Sequence, residues 1–191
     1  MIEREERRIA ILRSAIEIFS QNGFYKSKIQ EIAKNAGIGK GTIYQYFESK
    51  KQLFEEMIKY SIEIYSEDII KIIEKNLDTR EKILSFFKYH VKISHNYENV
   101  LQSIVNQSQS DDMMRHCLLE LKTRLYKLIE QIIKEGIAKA ELRKDLDVEI
   151  AVCSIVGTIN QYSIQKVHYE KMNYDDLNLE ILVEGLLKGL K

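Results

Sequence analysis

Proline and tryptophan are both missing from this 191-residue chain. Proline punctuates loops and strands at least as often as helix starts, so its absence fits a chain of seven or more helices. Cysteine is almost missing: Cys117 and Cys153 stand far apart, which excludes a disulfide framework and a cysteine-rich metal site. Both read as reduced, buried small hydrophobes. Glycine is sparse and uneven, with four of the eight at positions 23, 37, 39 and 41 and none again until Gly136. The first stretch therefore reads as short helices with tight turns, and the remainder as long helices. No charge of one sign dominates, since 29 Lys+Arg balance 29 Asp+Glu, which argues against a general nucleic-acid coat protein. No apolar run approaches the ~18 residues of a membrane span. The opening "MIEREERRIA" has neither the apolar core nor the cleavage site of a secretory signal, so a cytoplasmic location is expected.

What is there begins with how the charge is spread. Residues 1–51 hold ten Lys+Arg against six Asp+Glu, a net +4, which leaves the rest of the chain at −4. A basic N-terminal quarter on an acidic body suggests that one end meets an anion. Ile9, Leu12, Ile16 and Phe19 lie on one stripe of a helix from about Glu3 to Asn22, which Gly23 ends. Ser27-x-x-Gln30 is a capping-box pattern ahead of a helix over 28–35, with Ile29, Ile32 and Ala33 inward. A further short helix is expected over 40–47, burying Ile43 and Phe47. Ser49 then caps a long amphipathic helix running to about Asn76. Later helices are expected near 79–95, 97–107, 111–139, 147–170 and 175–190. Asp78, Asp111, Asp147 and Asp175 or Asp176 are placed to cap four of them. The polar connector is Asn106-Gln107-Ser108-Gln109-Ser110.

The stretch "GIGKGTIYQYF", residues 37–47, resembles a phosphate loop at first sight. It is neither known kind. The dinucleotide pattern G-x-G-x-x-G needs a strand before it, and a Walker loop needs Ser or Thr directly after its Lys, where this chain has Gly41. Two short helices joined by a glycine turn instead describe a helix–turn–helix. Gly37 supplies the turn and Ile38 plugs the angle. Lys40, Thr42, Tyr44, Gln45 and Tyr46 are left on or near the outer face, as a helix entering the major groove requires.

Phe19, Gly23, "IQEIAKNAGIGKGTIYQYFESKKQLF" and the long helix that follows resemble the N-terminal DNA-binding domain of the TetR family of bacterial transcriptional regulators, densely over about 8–55. The resemblance implies an all-α fold of about nine helices, with a three-helix helix–turn–helix domain at 1–48 and a helical effector-binding and dimerisation domain at 49–191. It implies that Ser27, Lys28, Lys40, Tyr44, Tyr46 and Lys50 hold the DNA backbone, and that Thr42, Gln45 and Tyr44 reach base edges. Gly39 stands where members commonly carry Ser or Thr, which removes a side-chain cap at little energetic cost. Ser27-Lys28 replaces a frequent Thr-Thr and adds a positive charge. The partners implied are a palindromic double-stranded operator, a second copy of the chain and a small hydrophobic effector, most often with repression as the outcome. Ala151, Ile155, Gly157, Ile159, Leu182 and Leu186 are the expected dimer positions. Tyr60, Tyr65, Phe86, Tyr89, His90, Met113, Cys117 and Tyr126 are candidates for the effector pocket.

No enzyme or cofactor is expected. His90 and His95 do not share a helix face, His116 and Cys117 point apart, and neither a Glu-x-x-His pair nor G-x-S-x-G occurs. Two competing readings are a helical metal-dependent oxidase and a helical adaptor for protein partners. The basic N-terminal quarter and the glycine-spaced motif favour DNA over both.

Overall fold

Helices account for every regular element among residues 2–108 and 112–189, which the computed structural model describes. They are α1 (Ile2–Lys26), α2 (Ile29–Asn35), α3 (Lys40–Ile43), α4 (Lys50–Ile73), α5 (Thr79–Asn96), α6 (Glu98–Ser108), α7 (Asp112–Ala138), α8 (Val148–Ser163) and α9 (Leu179–Lys188). A π-helical segment, Ile164–Tyr169, continues α8, and a 3₁₀ turn, Tyr174–Asp176, precedes α9. None of the described helices is long and apolar enough to cross a membrane. The chain divides into two compact units, Met1–Ile64 with Tyr97–Glu120, and Tyr65–Asn96 with Leu121–Lys191.

In the first unit α1 packs against α2 and α6, and α2 against α3. The buried stripe of α1 runs through Ile11, Leu12, Ala15 and Phe19, with Ile9 and Ile16 at its half-buried edges. Phe19, Phe24 and Phe54 form an aromatic knot whose Phe19–Phe54 centroids lie 5.0 Å apart, edge to face. Each buried ring contributes about 1.5–3 kcal/mol by leaving water. Buried Ser14 donates to Ile32 O at 2.7 Å, tying α1 to α2. Arg8 pairs with Glu5 and Glu56, and Arg13 donates to the Tyr60 hydroxyl at 3.3 Å, so α1 is also laced to α4.

α1 does not stop at Gly23. It bends there, with φ 70° and ψ 173°, a backbone state essentially confined to glycine, and resumes to Lys26. Asn99 on α6 donates to Ser20 O and Gln21 O, and the Ser103 hydroxyl accepts from Phe24 N–H. Carbonyls and N–H groups freed by the bend are thus satisfied from α6.

The core of the second unit is built from Ile69, Ile83, Phe86, Phe87, Ile129, Ile132, Ile133, Ala151, Ile155, Ile159 and Val183. α5 packs on α8 and α9. Where α5 begins and α7 ends, Glu141 accepts from Thr79 N–H at 2.7 Å and from its hydroxyl at 2.6 Å. Lys82, nearly fully buried, reaches Glu135 at 2.8 Å.

The expected caps are partly met. Ser49 accepts from Gln52 N–H, Asp78 from Glu81 N–H and Asp147 from Ile150 N–H. Asp111 lies outside the described residues. Neither Asp175 nor Asp176 caps α9: both sit in the 3₁₀ turn, and Asn178 accepts from Ile181 N–H instead. The box before α2 also shifts by one residue. Lys28 is the N-cap and has no acceptor to offer, so only the return half forms, with Glu31 accepting from Lys28 N–H at 3.0 Å. Cys117 is buried as expected, but Cys153 is exposed on α8.

Candidate nucleic-acid interface

α2 ends in a Schellman turn. Ile38 N–H bonds Ala33 O at 3.0 Å and Gly37 N–H bonds Lys34 O at 3.1 Å, with Gly37 at φ 68°. A methyl group on Gly37 would meet nothing within 4 Å, so its φ alone demands glycine. Gly39 caps the next element through its carbonyl, which accepts from Thr42 N–H at 3.0 Å, and no side chain takes part. α3 is one turn long rather than spanning 40–47. Beyond Ile43 the chain takes i→i+3 bonds, Gln45 N–H to Thr42 O and Tyr46 N–H to Ile43 O, before Phe47 N–H closes an α-type bond back to Ile43 O at 3.0 Å.

This tight segment sorts its side chains cleanly. Ile43 and Phe47 are each 1% exposed and anchor it, whereas Lys40, Gly41, Tyr44 and Gln45 are exposed and Thr42 and Tyr46 half-buried. The Lys40 ammonium stands 5.9 Å from the centre of the Tyr44 ring. Lys28 is exposed just ahead of α2. The structure thus brings Lys28, Gly39, Lys40, Thr42, Tyr44, Gln45 and Tyr46 into one helix–turn–helix, with Gly39 exposed and the side chains of the other six wholly or partly in solvent.

Two positions differ. Ser27 is 2% exposed, and its hydroxyl donates to Gly23 O at 2.7 Å. It braces the bend after α1 and cannot reach a duplex, which corrects its expected role as a backbone contact. Lys50 turns its ammonium to Tyr25 O at 3.3 Å and over the Phe24 ring at 4.7 Å. Burial lowers its pKa from the ordinary lysine value, with Glu31 working against that shift.

Beside this segment lies an open cleft of about 480 Å³ lined by Glu3, Arg4, Arg7, Gln45 and Tyr46. The Arg4 guanidinium is 5.8 Å from the Tyr46 ring centre. Sequence reasoning missed Arg4 and Arg7. Their spacing of three on the first turns of a helix was the available signal, masked by the neighbouring Glu3, Glu5 and Glu6.

The effector candidates separate between the units. In the second, Tyr65, Phe86, Tyr89 and His90 come together. The Tyr65 hydroxyl is 2.7 Å from His90 Nδ1, the Tyr65 and Tyr89 rings stack at 5.4 Å, and Phe86 tilts against His90 at 5.7 Å. Tyr89 donates to Asp68 at 2.9 Å. Desolvation lowers the His90 pKa to about 4, opposed by a hydrogen bond with Asn160, so the ring is neutral. Tyr126, also in this unit, is 37% exposed and bonded to Cys153. Tyr60, Met113 and Cys117 belong to the first unit, the last two one turn apart on α7 with sulfurs 3.5 Å from each other.

The expected dimer positions also divide. Ala151, Ile155 and Ile159 are fully buried in the core of their own unit, so they are not free to face a partner. Leu182 and Leu186 rest half-buried against that core. Gly157 is exposed, with open space where a side chain would be. It lies on a stripe of α8 and the following segment that includes Ile150 (64% exposed), Cys153, Asn160 and Ile164.

The comparisons with known proteins cover both parts of the chain. Residues 11–57 match the N-terminal model of bacterial regulatory proteins of the TetR family, and residues 54–189 match the C-terminal region of YsiA-like proteins. The fatty acid metabolism regulator protein of Bacillus subtilis is 27% identical over 193 residues, covering 97% of this chain and 98% of that one. The transcriptional repressor KstR2 of Rhodococcus jostii is 26% identical over 148 residues, covering 76% and 72%. Among solved structures, FadR from Bacillus subtilis in complex with stearoyl-CoA superposes with a TM-score of 0.70 at 25% identity, covering 94% and 95%. A regulator from Saccharomonospora viridis in complex with choline reaches 0.81 at 19% identity, covering 96% of each chain, and supports the fold alone. With a Schellman-turned helix–turn–helix at one end and family models matched from residue 11 to residue 189, this chain belongs to the TetR family and is a DNA-binding transcriptional regulator.

Proposed function

We propose that this regulator represses transcription by binding a palindromic operator as a homodimer, and that a long-chain acyl-CoA releases it. Residues 1–48 read the DNA, and residues 49–191 carry effector binding and dimerisation. The observation that carries the reading is the turn at Gly37. It sets a one-turn helix on two buried anchors, Ile43 and Phe47, so that Lys40, Tyr44 and Gln45 project outward. Lys28, Lys40, Tyr44 and Tyr46 then grip phosphates, while Thr42 and Gln45 meet base edges, Gln through paired bonds to adenine. Lys50 keeps protons free for a phosphate beyond the one it gives to Tyr25 O.

The effector class follows from the relatives, one a fatty acid metabolism regulator and one a FadR structure in complex with stearoyl-CoA. Tyr65, Phe86, Tyr89 and His90 offer it apolar ring faces with uncharged polar tips. Release requires that the effector bind better to a form whose two reading segments no longer match successive grooves. The setting is the cytoplasm, where operator and acyl-CoA are both found.

The test is binding of the purified protein to DNA upstream of its own gene, over a range of salt, with and without stearoyl-CoA. Stearoyl-CoA is expected to abolish specific binding. Lys40→Ala should weaken binding to specific and random duplexes alike and lower the salt slope by about one unit per bound subunit. Gln45→Ala should relax base preference at one position per half-site by ~1–3 kcal/mol. If both variants bind as the parent does, the 40–47 segment is not the reader.

A further inference from the structure

The cleft beside the reading segment has no role in the proposal above, although two of its five lining residues, Gln45 and Tyr46, belong to that segment. Its other wall is the first turns of α1, and there the arginines are sorted. Arg8 is taken by Glu5 and Glu56. Arg4 and Arg7, three residues apart on one face, line the cleft instead. Arg4 rests near the Tyr46 ring, a stacking contact that narrows the directions its fork of donors takes. Arg7 has a 3.4 Å contact with Glu3, and both side chains are largely exposed, at 47% and 87%. A pair so wet and so long holds its partners weakly, so a phosphate displaces Glu3 at little cost. The cleft is therefore open, presents two guanidiniums, and adjoins the reading segment through Gln45 and Tyr46.

We propose that Arg4 and Arg7 bind backbone phosphates of the operator strand flanking the bases read by the 40–47 segment, with Glu3 as the group that yields Arg7 when DNA arrives. The inference rests on the 40–47 segment being the reader. These are positioning contacts: they fix register and add salt-dependent affinity without reading sequence. Guanidinium forks match phosphate oxygens two at a time, which makes arginine the apt residue for both positions. Glu3 sets the strength of the contact, because it competes for Arg7 and repels the incoming phosphate.

The experiment uses the full chain and two operator duplexes, one with several base pairs of flank on each side and one trimmed to the bases read. Arg4→Ala and Arg7→Ala should each lower the salt slope by about one unit per bound subunit on the flanked duplex and leave the trimmed duplex unaffected. Arg4→Lys should keep the parent slope, since the charge is retained. Glu3→Gln should tighten binding to the flanked duplex, whereas a merely structural Glu3–Arg7 pair would give no gain. Lys40→Ala must weaken both duplexes equally. Unchanged slopes for both alanine variants, or equal losses on the two duplexes, overturn the proposal while the reading segment stands. A Lys40→Ala variant that binds both duplexes as the parent does would remove the reader itself.

Discussion

At the scale of single residues, environment decides between groups that look alike in the sequence. Gly37 and Gly41 are both exposed with open space around them, yet only Gly37 has a positive φ. Gly37→Ala should therefore destabilise the protein by about 1–2 kcal/mol through backbone strain alone. Gly41→Ala, inside α3, should be neutral or stabilise by up to ~1 kcal/mol. Urea unfolding of the two variants checks the opposite signs. His90 gives a pH signature. Its folded pKa of about 4 lies below the ordinary histidine value of 6.5, so the unfolded chain takes up a proton that the folded one refuses. The stability this neutral ring contributes is present above pH 6.5 and is lost as pH falls toward 4, on the order of 3 kcal/mol in all. His90→Gln keeps the hydrogen-bonding capacity without the titration, so its unfolding midpoint should fall less steeply over that window. Parallel curves for parent and variant would show that His90 is not the group responsible.

Elements were legible in the sequence wherever a cap or an apolar period marked them, and not where tertiary contacts set the boundary. Asp78 and Asp147 cap as their positions suggest, because an acceptor just ahead of an apolar period has one obvious use. The run of α1 past Gly23 was not legible, since the groups that satisfy the bend come from Asn99 and Ser103, some 80 residues away in sequence. The shortness of α3 was hidden because Ile43 and Phe47 remain one α-type bond apart and both buried, although the bonds of Gln45 and Tyr46 between them are tighter. Helix α8 misled for a different reason. It is apolar on two faces, so spacing alone could not say which stripe, 151-155-159 or 150-153-157, belongs to the core. Gly136, late in α7, was noticed only as a gap in the glycine pattern, and the structure gives it a purpose. A methyl group there would collide with the Thr79 hydroxyl, which is held by Glu141, and would press on Leu142 at 3.1 Å. Gly136→Ala is expected to cost about 1–3 kcal/mol. Combining it with Thr79→Ala, which removes the obstructing oxygen, should cost less than the two single losses added. Additive losses in urea unfolding would mean that the α5–α7 contact is looser than the structure has it.

For the whole molecule, the proposed homodimer needs a face on which a second copy can pack. On α8 and the segment after it, Ile150, Cys153, Gly157, Asn160 and Ile164 recur at steps of three and four and are all exposed, and on α9 Ile181 is 66% exposed. Steps of three and four are the seam of helices that pack on other helices, and exposed isoleucines on such a seam in a regulator of this family fit a covered face. The proposed interface therefore takes Gly157 with the exposed edges of Leu182 and Leu186 and adds Ile150, Ile164 and Ile181. It leaves Ala151, Ile155 and Ile159 to the core. Because Ile150 and Ile181 contribute little to the buried core, a charge at either should spare the fold and disrupt association. Ile150→Glu and Ile181→Glu should give folded monomers by light scattering, with unfolding midpoints near that of the dimer extrapolated to low concentration. Ile155→Ala should do the reverse, leaving association intact while costing about 2–5 kcal/mol of stability through the cavity it opens. Since a dimer grips two half-sites and a monomer one, the glutamate variants should also lose most of their operator affinity while retaining weak binding to a single half-site. Glutamate variants that stay dimeric would move the interface off this stripe, and an Ile155→Ala monomer would return it to the buried positions.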